Sequence, residues 1–141
     1  MLQCYSTKNG KPDLVEVFCS PDSVLARTAH QSGLTAERWT IDDFDLSTKS
    51  RYQQAERRLC RIRPKRIWRS PECPEQSTEL AEKRRKGVIM WQNCIRLALV
   101  QLELGGYFYI EHPQSCLAWK SRDTSTRQLL DELSTHCLRG Q

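Results

Sequence analysis

The chain has 141 residues, 38% of them hydrophobic and 28% charged, and 22 Lys and Arg against 17 Asp and Glu give a net charge of +5. That length predicts a single domain with a real core, and the composition excludes a disordered or low-complexity chain. No apolar run approaches the roughly 20 residues needed to span a bilayer. Met1-Leu2-Gln3-Cys4-Tyr5-Ser6 lacks the apolar core of a signal peptide, so an intracellular location is expected, with nucleus and cytoplasm both open.

Residues 13–18 form a short run rich in β-branched side chains after Gly10-Lys11-Pro12, and they predict a first strand. Ser20 is a suitable helix cap and Pro21 a suitable first helical residue, with Val24, Leu25 and Ala29 turned inward and an end near Ser32-Gly33. A second strand follows over 34–41. Asp42, Asp43 and Asp45 close it, and Ser47 or Thr48 starts a basic helix that runs to about Arg61 and stops at Pro64. Residues 66–69 predict a third strand. The longest helix spans about 78–104, with Val88, Trp91, Ile95, Ala98, Leu99 and Leu102 on one stripe and Gly105-Gly106 at its end. Residues 107–110 predict a fourth strand and 127–137 a last helix. Strand and helix alternate throughout, which is the signature of an α/β fold: an open, mainly parallel sheet of about four strands with flanking helices. Right-handed crossovers would bring the loops beginning at Cys19, Asp42, Ser70 and Glu111 to one edge, where such sheets bind ligands. The fourth strand would sit at an open edge, to be covered by the C-terminal helix, a partner chain or further sequence.

The seven cysteines (Cys4, Cys19, Cys60, Cys73, Cys94, Cys116, Cys137) include no C-x-x-C pair, and the odd count argues for reduced thiols. His112, Cys116, His136 and Cys137 lack the paired short spacing of a zinc site, and no metal is expected. The most informative stretch is Arg69-Ser70-Pro71-Glu72-Cys73-Pro74-Glu75-Gln76-Ser77, which places a thiol on a proline-stiffened loop at the end of a strand. Neighbouring arginines would lower the pKa of that thiol. Arg57, Arg58, Arg61, Arg63, Lys65 and Arg66 precede this loop and Lys83, Arg84, Arg85 and Lys86 follow it. These clusters read either as a phosphate-binding rim or as solvated helix faces with Glu56, Glu79 and Glu82 interspersed.

With these residues in place, the chain resembles S-adenosylmethionine-dependent methyltransferases, and among them the DNA cytosine-5 methyltransferases, over roughly residues 13–113. The family's D-L-F-x-G-x-G-G strand and loop has its counterpart in Glu16-Val17-Phe18-Cys19-Ser20-Pro21-Asp22-Ser23. Its P-P-C-Q-x-F-S nucleophile loop is matched by Pro71-Glu72-Cys73-Pro74-Glu75-Gln76-Ser77, and its E-N-V tripeptide by Glu111-His112-Pro113. A fainter similarity links the chain to segments of mobile-element polyproteins. The resemblance implies Cys73 as nucleophile toward a flipped-out cytosine and Glu111 as the acid that contacts the base. It also implies S-adenosylmethionine as cofactor, held by Phe18, Cys19, Ser20, Asp45 and Pro71, with Glu37, Asp42 or Asp43 as the ribose-binding acid. DNA or RNA would lie against a rim of Arg57, Arg58, Arg84 and Arg85. The family's loop glycines are replaced by Ser20, Asp22 and Ser23. The alternative reading is therefore an inactive nucleic-acid-binding or structural segment of a larger protein.

Overall fold

Leu14-Val15-Glu16-Val17 is buried along its whole length, the pattern of a strand covered on both faces, and the sheet is built around it. The computed structural model describes residues 4–5, 11–19, 22–69, 81–111, 117–120 and 123–139. In chain order the elements are β1 (Cys4–Tyr5), β2 (Leu14–Val17), α1 (Val24–Gln31), β3 (Ala36–Trp39), α2 (Lys49–Ile62), β4 (Arg66–Arg69), α3 (Ala81–Glu103), β5 (Tyr107–Ile110), a 3-10 turn at Leu117–Lys120 and α4 (Thr124–Arg139). Strand order is β1-β3-β2-β4-β5. The last four strands in chain order are parallel: Leu14 pairs with Ala36 on one side and Arg66 on the other, and Arg66 pairs with Tyr107. The expected open, mainly parallel α/β sheet is therefore present. β1 adds a short antiparallel edge through Cys4 and Tyr5; two residues carry no periodicity from which a strand can be read.

Alternation along the strands divides the core into two layers. Leu14 and Ala36 point to one face and pack against Ala26 and Ala29 of α1. Val15, Val17, Trp39 and Ile67 point to the other and meet Ala55, Leu59 and Ile62 of α2 with Cys94 and Leu97 of α3. Each fully buried aliphatic side chain of this kind contributes about 1.5–3 kcal/mol. α3 is apolar on two sides, because a second cluster of Trp91, Ile95, Ala98 and Leu99 packs against Leu129, Leu130 and Leu133 of α4. The stripe read from the sequence is mostly this α4-facing side; the sheet-facing side is Met90, Cys94, Leu97 and Val100. No helix among the described residues is long and apolar enough to cross a membrane.

The element ends follow capping chemistry. The Thr48 hydroxyl accepts from Arg51 N at the start of α2, and Arg63 closes that helix in the left-handed region at φ 43. α4 starts at Thr124, earlier than its periodicity suggested, because the Asp123 carboxylate accepts from Thr126 N at 2.8 Å and Thr126 Oγ1 at 2.9 Å. α1 differs from expectation in one side chain: Val24 is 61% exposed, and Ala26 and Ala29 form the buried stripe instead. Ser20 and Pro21, the expected cap, lie outside the described residues. Between α3 and β5, a Cβ on Gly106 would fall 2.0 Å from Gln101 Nε2. That buried amide donates to Pro64 O at 2.7 Å and so ties α3 to the turn before β4.

Candidate functional site

The chain leaves β2 toward β3 and then crosses back over β2 to form β4. The reversal falls between β2 and β4, and the carboxyl ends of those strands mark the crevice where open α/β sheets bind ligands. At the end of β2, Phe18 adopts φ 60, a left-handed conformation that disfavours a side chain, and its N–H donates to Trp39 O at 2.9 Å. Its ring packs against the core under α2 and α3. The Cys19 thiol donates to Glu16 O at 3.5 Å. Burial, and then the charge of Glu16, push its pKa up to about 11, so it stays a thiol at neutral pH.

Glu16 is the organising residue of this corner. It is buried on β2, and its carboxylate accepts the Ser23 hydroxyl and, at 3.2 Å, the Ala26 N–H in the first turn of α1. Arg38, buried on the adjacent strand, donates to the Ser23 carbonyl. A carboxylate from the protein itself thus fills the positive end of α1, where the helix would otherwise attract an anion.

The acids after β3 are similarly occupied. Glu37 is buried, accepts Trp39 Nε1 at 2.8 Å and pairs with Arg58. Asp43 accepts Thr40 N and Oγ1, both at 2.9 Å. Asp45 accepts Ser47 N at 3.0 Å and Ser47 Oγ at 2.6 Å, shaping the approach to α2. Asp42 is exposed. At the end of β4 the Arg69 side chain is wholly buried, against Cys94 of α3 and near Tyr52 of α2. Its Nε, Nη1 and Nη2 find no hydrogen-bond acceptor among the described residues, and the Cys94 thiol lies against it. Burial lowers its pKa and raises that of Cys94.

Glu111, at the end of β5, is exposed, and its N–H donates to Arg69 O at 2.8 Å. It therefore begins beside the point where the cysteine loop leaves the sheet. Cys73, Pro71 and Ser20 lie outside the described residues, as does the side chain of Arg84. Of the remaining basic residues, Arg85 is paired with Glu82 through two contacts, at 2.9 and 3.1 Å, on an exposed helix face. Such surface pairs contribute about 0–1 kcal/mol. Arg57 and Arg58 line a groove of about 440 Å³ with Phe44, Gln54 and Arg61. Arg57 and Arg61 are exposed cations with no ion pair among the described residues. A second cavity of about 490 Å³ opens between α2 and α3, where Ser47, Lys49, Tyr52, Gln92, Asn93 and Arg96 contribute to the wall. Among the described residues no group of three His, Cys, Asp or Glu is placed to hold a metal ion; His112 and Cys116 lie outside them.

Comparison of the chain with protein-family models, with curated proteins and with solved structures returns no match.

The described residues fit S-adenosylmethionine poorly. Glu16 occupies the helix terminus that would face the ligand, Glu37, Asp43 and Asp45 are engaged in bonds within the chain, and the Phe18 ring is committed to the core. Three features went unread in the sequence. The capping role of Glu16 depends on β2 aiming a charged side chain at α1, the Glu37–Arg58 pair spans two elements, and the burial of Arg69 is hidden by its basic neighbours. Alternation within β4 was the available signal for the last, since Ile67 and Arg69 flank a residue of the opposite face.

Proposed function

We propose that the protein is a nucleic-acid-binding domain of methyltransferase-like architecture, acting through its basic α2 surface rather than through a cofactor. The observation that carries this reading is the groove lined by Arg57, Arg58 and Arg61. Two of its three guanidinium groups are exposed and unpaired among the described residues, and Gln54 and Phe44 complete its wall. Guanidinium groups lining one groove pair with phosphates, and the release of counterions makes the resulting affinity steeply salt-dependent. Arg58 is the weakest of the three for this role because Glu37 already holds it. The test is fluorescence anisotropy with a labelled oligonucleotide over a salt series. Arg57→Gln with Arg61→Gln lowers the slope of log K against log salt by about 1 for each phosphate contact removed. An unchanged slope refutes the groove.

A second reading, cytosine-5 methyltransferase chemistry with Cys73 as nucleophile and Glu111 as base-contacting acid, is favoured by the backbone bond from Glu111 to Arg69, which sets Glu111 next to the start of the cysteine loop. Covalent trapping on a mechanism-based cytosine analogue tests it: trapping lost in Cys73→Ala supports the reading, and no trapping of the wild-type chain removes it. Titration of S-adenosylhomocysteine by calorimetry tests the cofactor separately, with Phe18→Ala as control. The engaged carboxylates at the switch point lead us to expect no saturable heat.

A further inference from the structure

α1 covers β2 and β3, and its cluster reaches across only as far as Trp68 of β4. Beyond Trp68, the same sheet face carries Arg66, Tyr107 and Tyr109. The parallel register sets Arg66 beside Tyr107 and Trp68 beside Tyr109. The Trp68 and Tyr109 rings stack with centroids 5.5 Å apart and planes inclined by 27°. Tyr107 is 64% exposed and Tyr109 44%, and both stand on β5, the edge strand. These are the most exposed aromatic rings among the described residues, and they share one face of the sheet.

The charge at one end of this shelf is mainly positive. Arg63, Lys65 and Arg66 are all exposed in the turn that joins α2 to β4, and the Tyr107 N–H is bonded to Lys65 O at 2.9 Å. Asp13, bonded to Lys65 at 2.9 Å, is the carboxylate that answers them. Arg63 and Arg66 have no carboxylate partner among the described residues. Two solvent-facing rings, a stacked indole and adjacent free guanidinium groups make up the surface that proteins use for unpaired bases: each base has a face to stack, and the backbone follows the cations. A duplex keeps its bases stacked on one another and has no face to offer.

We infer that the face formed by Arg66, Trp68, Tyr107 and Tyr109 is a stacking platform for single-stranded nucleic acid, with the turn through Arg63, Lys65 and Arg66 receiving the phosphates. This rests on the nucleic-acid reading above and narrows it to unpaired strands, but it uses the sheet face opposite α2 and is tested apart from the groove.

The experiment measures binding of the full chain to labelled oligothymidylate and to a blunt duplex, for the wild type and for Tyr107→Ala, Tyr109→Ala and the corresponding Phe variants. Thermal unfolding confirms that each variant is folded. The expected result is about fivefold or greater weakening of oligothymidylate binding for each ring removed, recovery in the Phe variants, and unchanged duplex binding. Oligothymidylate binding that ignores Tyr107→Ala and Tyr109→Ala but falls with Arg57→Gln and Arg61→Gln overturns the platform and leaves the groove standing. Absence of binding to either nucleic acid by the wild type overturns both. Concentration-dependent self-association in sedimentation, abolished by the Ala variants while oligothymidylate binding is unaffected, assigns the face to a second copy of the chain and overturns the platform.

Discussion

Arg69→Met should make the protein more stable. The side chain is fully buried, all three guanidinium nitrogens lack an acceptor among the described residues, and the group against it is the Cys94 thiol, itself held neutral by burial. Moving a cation out of water costs several kcal/mol even after relaxation, and only well-placed acceptors offset it. Methionine keeps the length and the apolar stem of arginine while removing the charge, so the packing against α2 and α3 is largely preserved. Replacing buried ionic groups by apolar ones of similar volume stabilises other proteins by about 1–4 kcal/mol, and the same range applies here. For a chain of this size each kcal/mol raises Tm by about 2–4 °C. Urea unfolding at neutral pH reads the change as a higher midpoint at constant slope. Arg69→Lys serves as the control, since it keeps a charge that is harder to desolvate and should be less stable than the wild type. Destabilisation of Arg69→Met by about 1 kcal/mol or more would refute the reasoning, because it would mean that the folded protein supplies an acceptor for the guanidinium group.

Three further outcomes follow from individual bonds. The Thr35 N–H, assisted by Lys65, holds the Asp13 carboxyl at about 2 against an ordinary 3.8. The charged form is the one the fold favours, so its stabilisation is complete above about pH 4 and fades as pH falls toward 2. The full shift corresponds to about 2.4 kcal/mol, which solvent screening at this partly exposed pair reduces to about 1 kcal/mol. Denaturant titrations should therefore show Asp13→Asn weaker than wild type near pH 7, with the gap reduced to about a third near pH 2.5 and closed near pH 1, whereas a pH-independent gap would rule out the charge as cause. Gly106→Ala should cost about 1–3 kcal/mol, because the new Cβ displaces the Gln101 amide from Pro64 O and leaves a buried acceptor unpaired; a variant as stable as wild type in urea would show that the turn yields. Glu16→Ala should cost about 1–2 kcal/mol through loss of the Ser23 and Ala26 bonds at α1, and unchanged thermal stability would contradict its capping role.

The sheet was legible because its signals are local. Residues 14–17, 66–69 and 107–110 carry β-branched or aromatic side chains, and 36–39 lies in a longer stretch ending on Trp39, Thr40 and Ile41. The strands are separated by helices whose stops at Pro64 and Gly105 are chemical rather than statistical. The helix stripes were legible in period but not in partner. α3 carries two apolar sides, and nothing in the sequence distinguishes the side that meets α4 from the side that meets the sheet. The candidate site was least legible, because its character is set by contacts between distant residues. Glu16 and Ala26 are ten positions apart and Glu37 and Arg58 twenty-one, and the meaning of each carboxylate changes once it has a partner. Tyr107 and Tyr109 read as strand residues from composition, whereas their exposure depends on which strand is last in the sheet and on how far α1 extends.

The distribution of polar groups argues for where function lies. At the switch point, a ligand with a negative group would have to displace Glu16 from the first turn of α1, and the cap it removes is worth about 1–2 kcal/mol to the fold. Of the acids expected to hold a ribose, Asp43 would have to leave a turn it already closes and Glu37 a buried ion pair whose disruption is costly, while Asp42 is exposed. Asp45, the expected adenine contact, would likewise have to leave Ser47. Binding through Glu16, Glu37, Asp43 or Asp45 is thus opposed by the bonds these carboxylates already make. Arg57, Arg61, Arg63 and Arg66, with Tyr107 and Tyr109, carry no such commitment: they are exposed, and a ligand engages them without breaking a bond the fold depends on. Among the described residues the buried carboxylates at the switch point are held in bonds within the chain while these cations and rings face outward, which is why the proposed contacts with an extended polyanion are placed on the surface and not in the crevice.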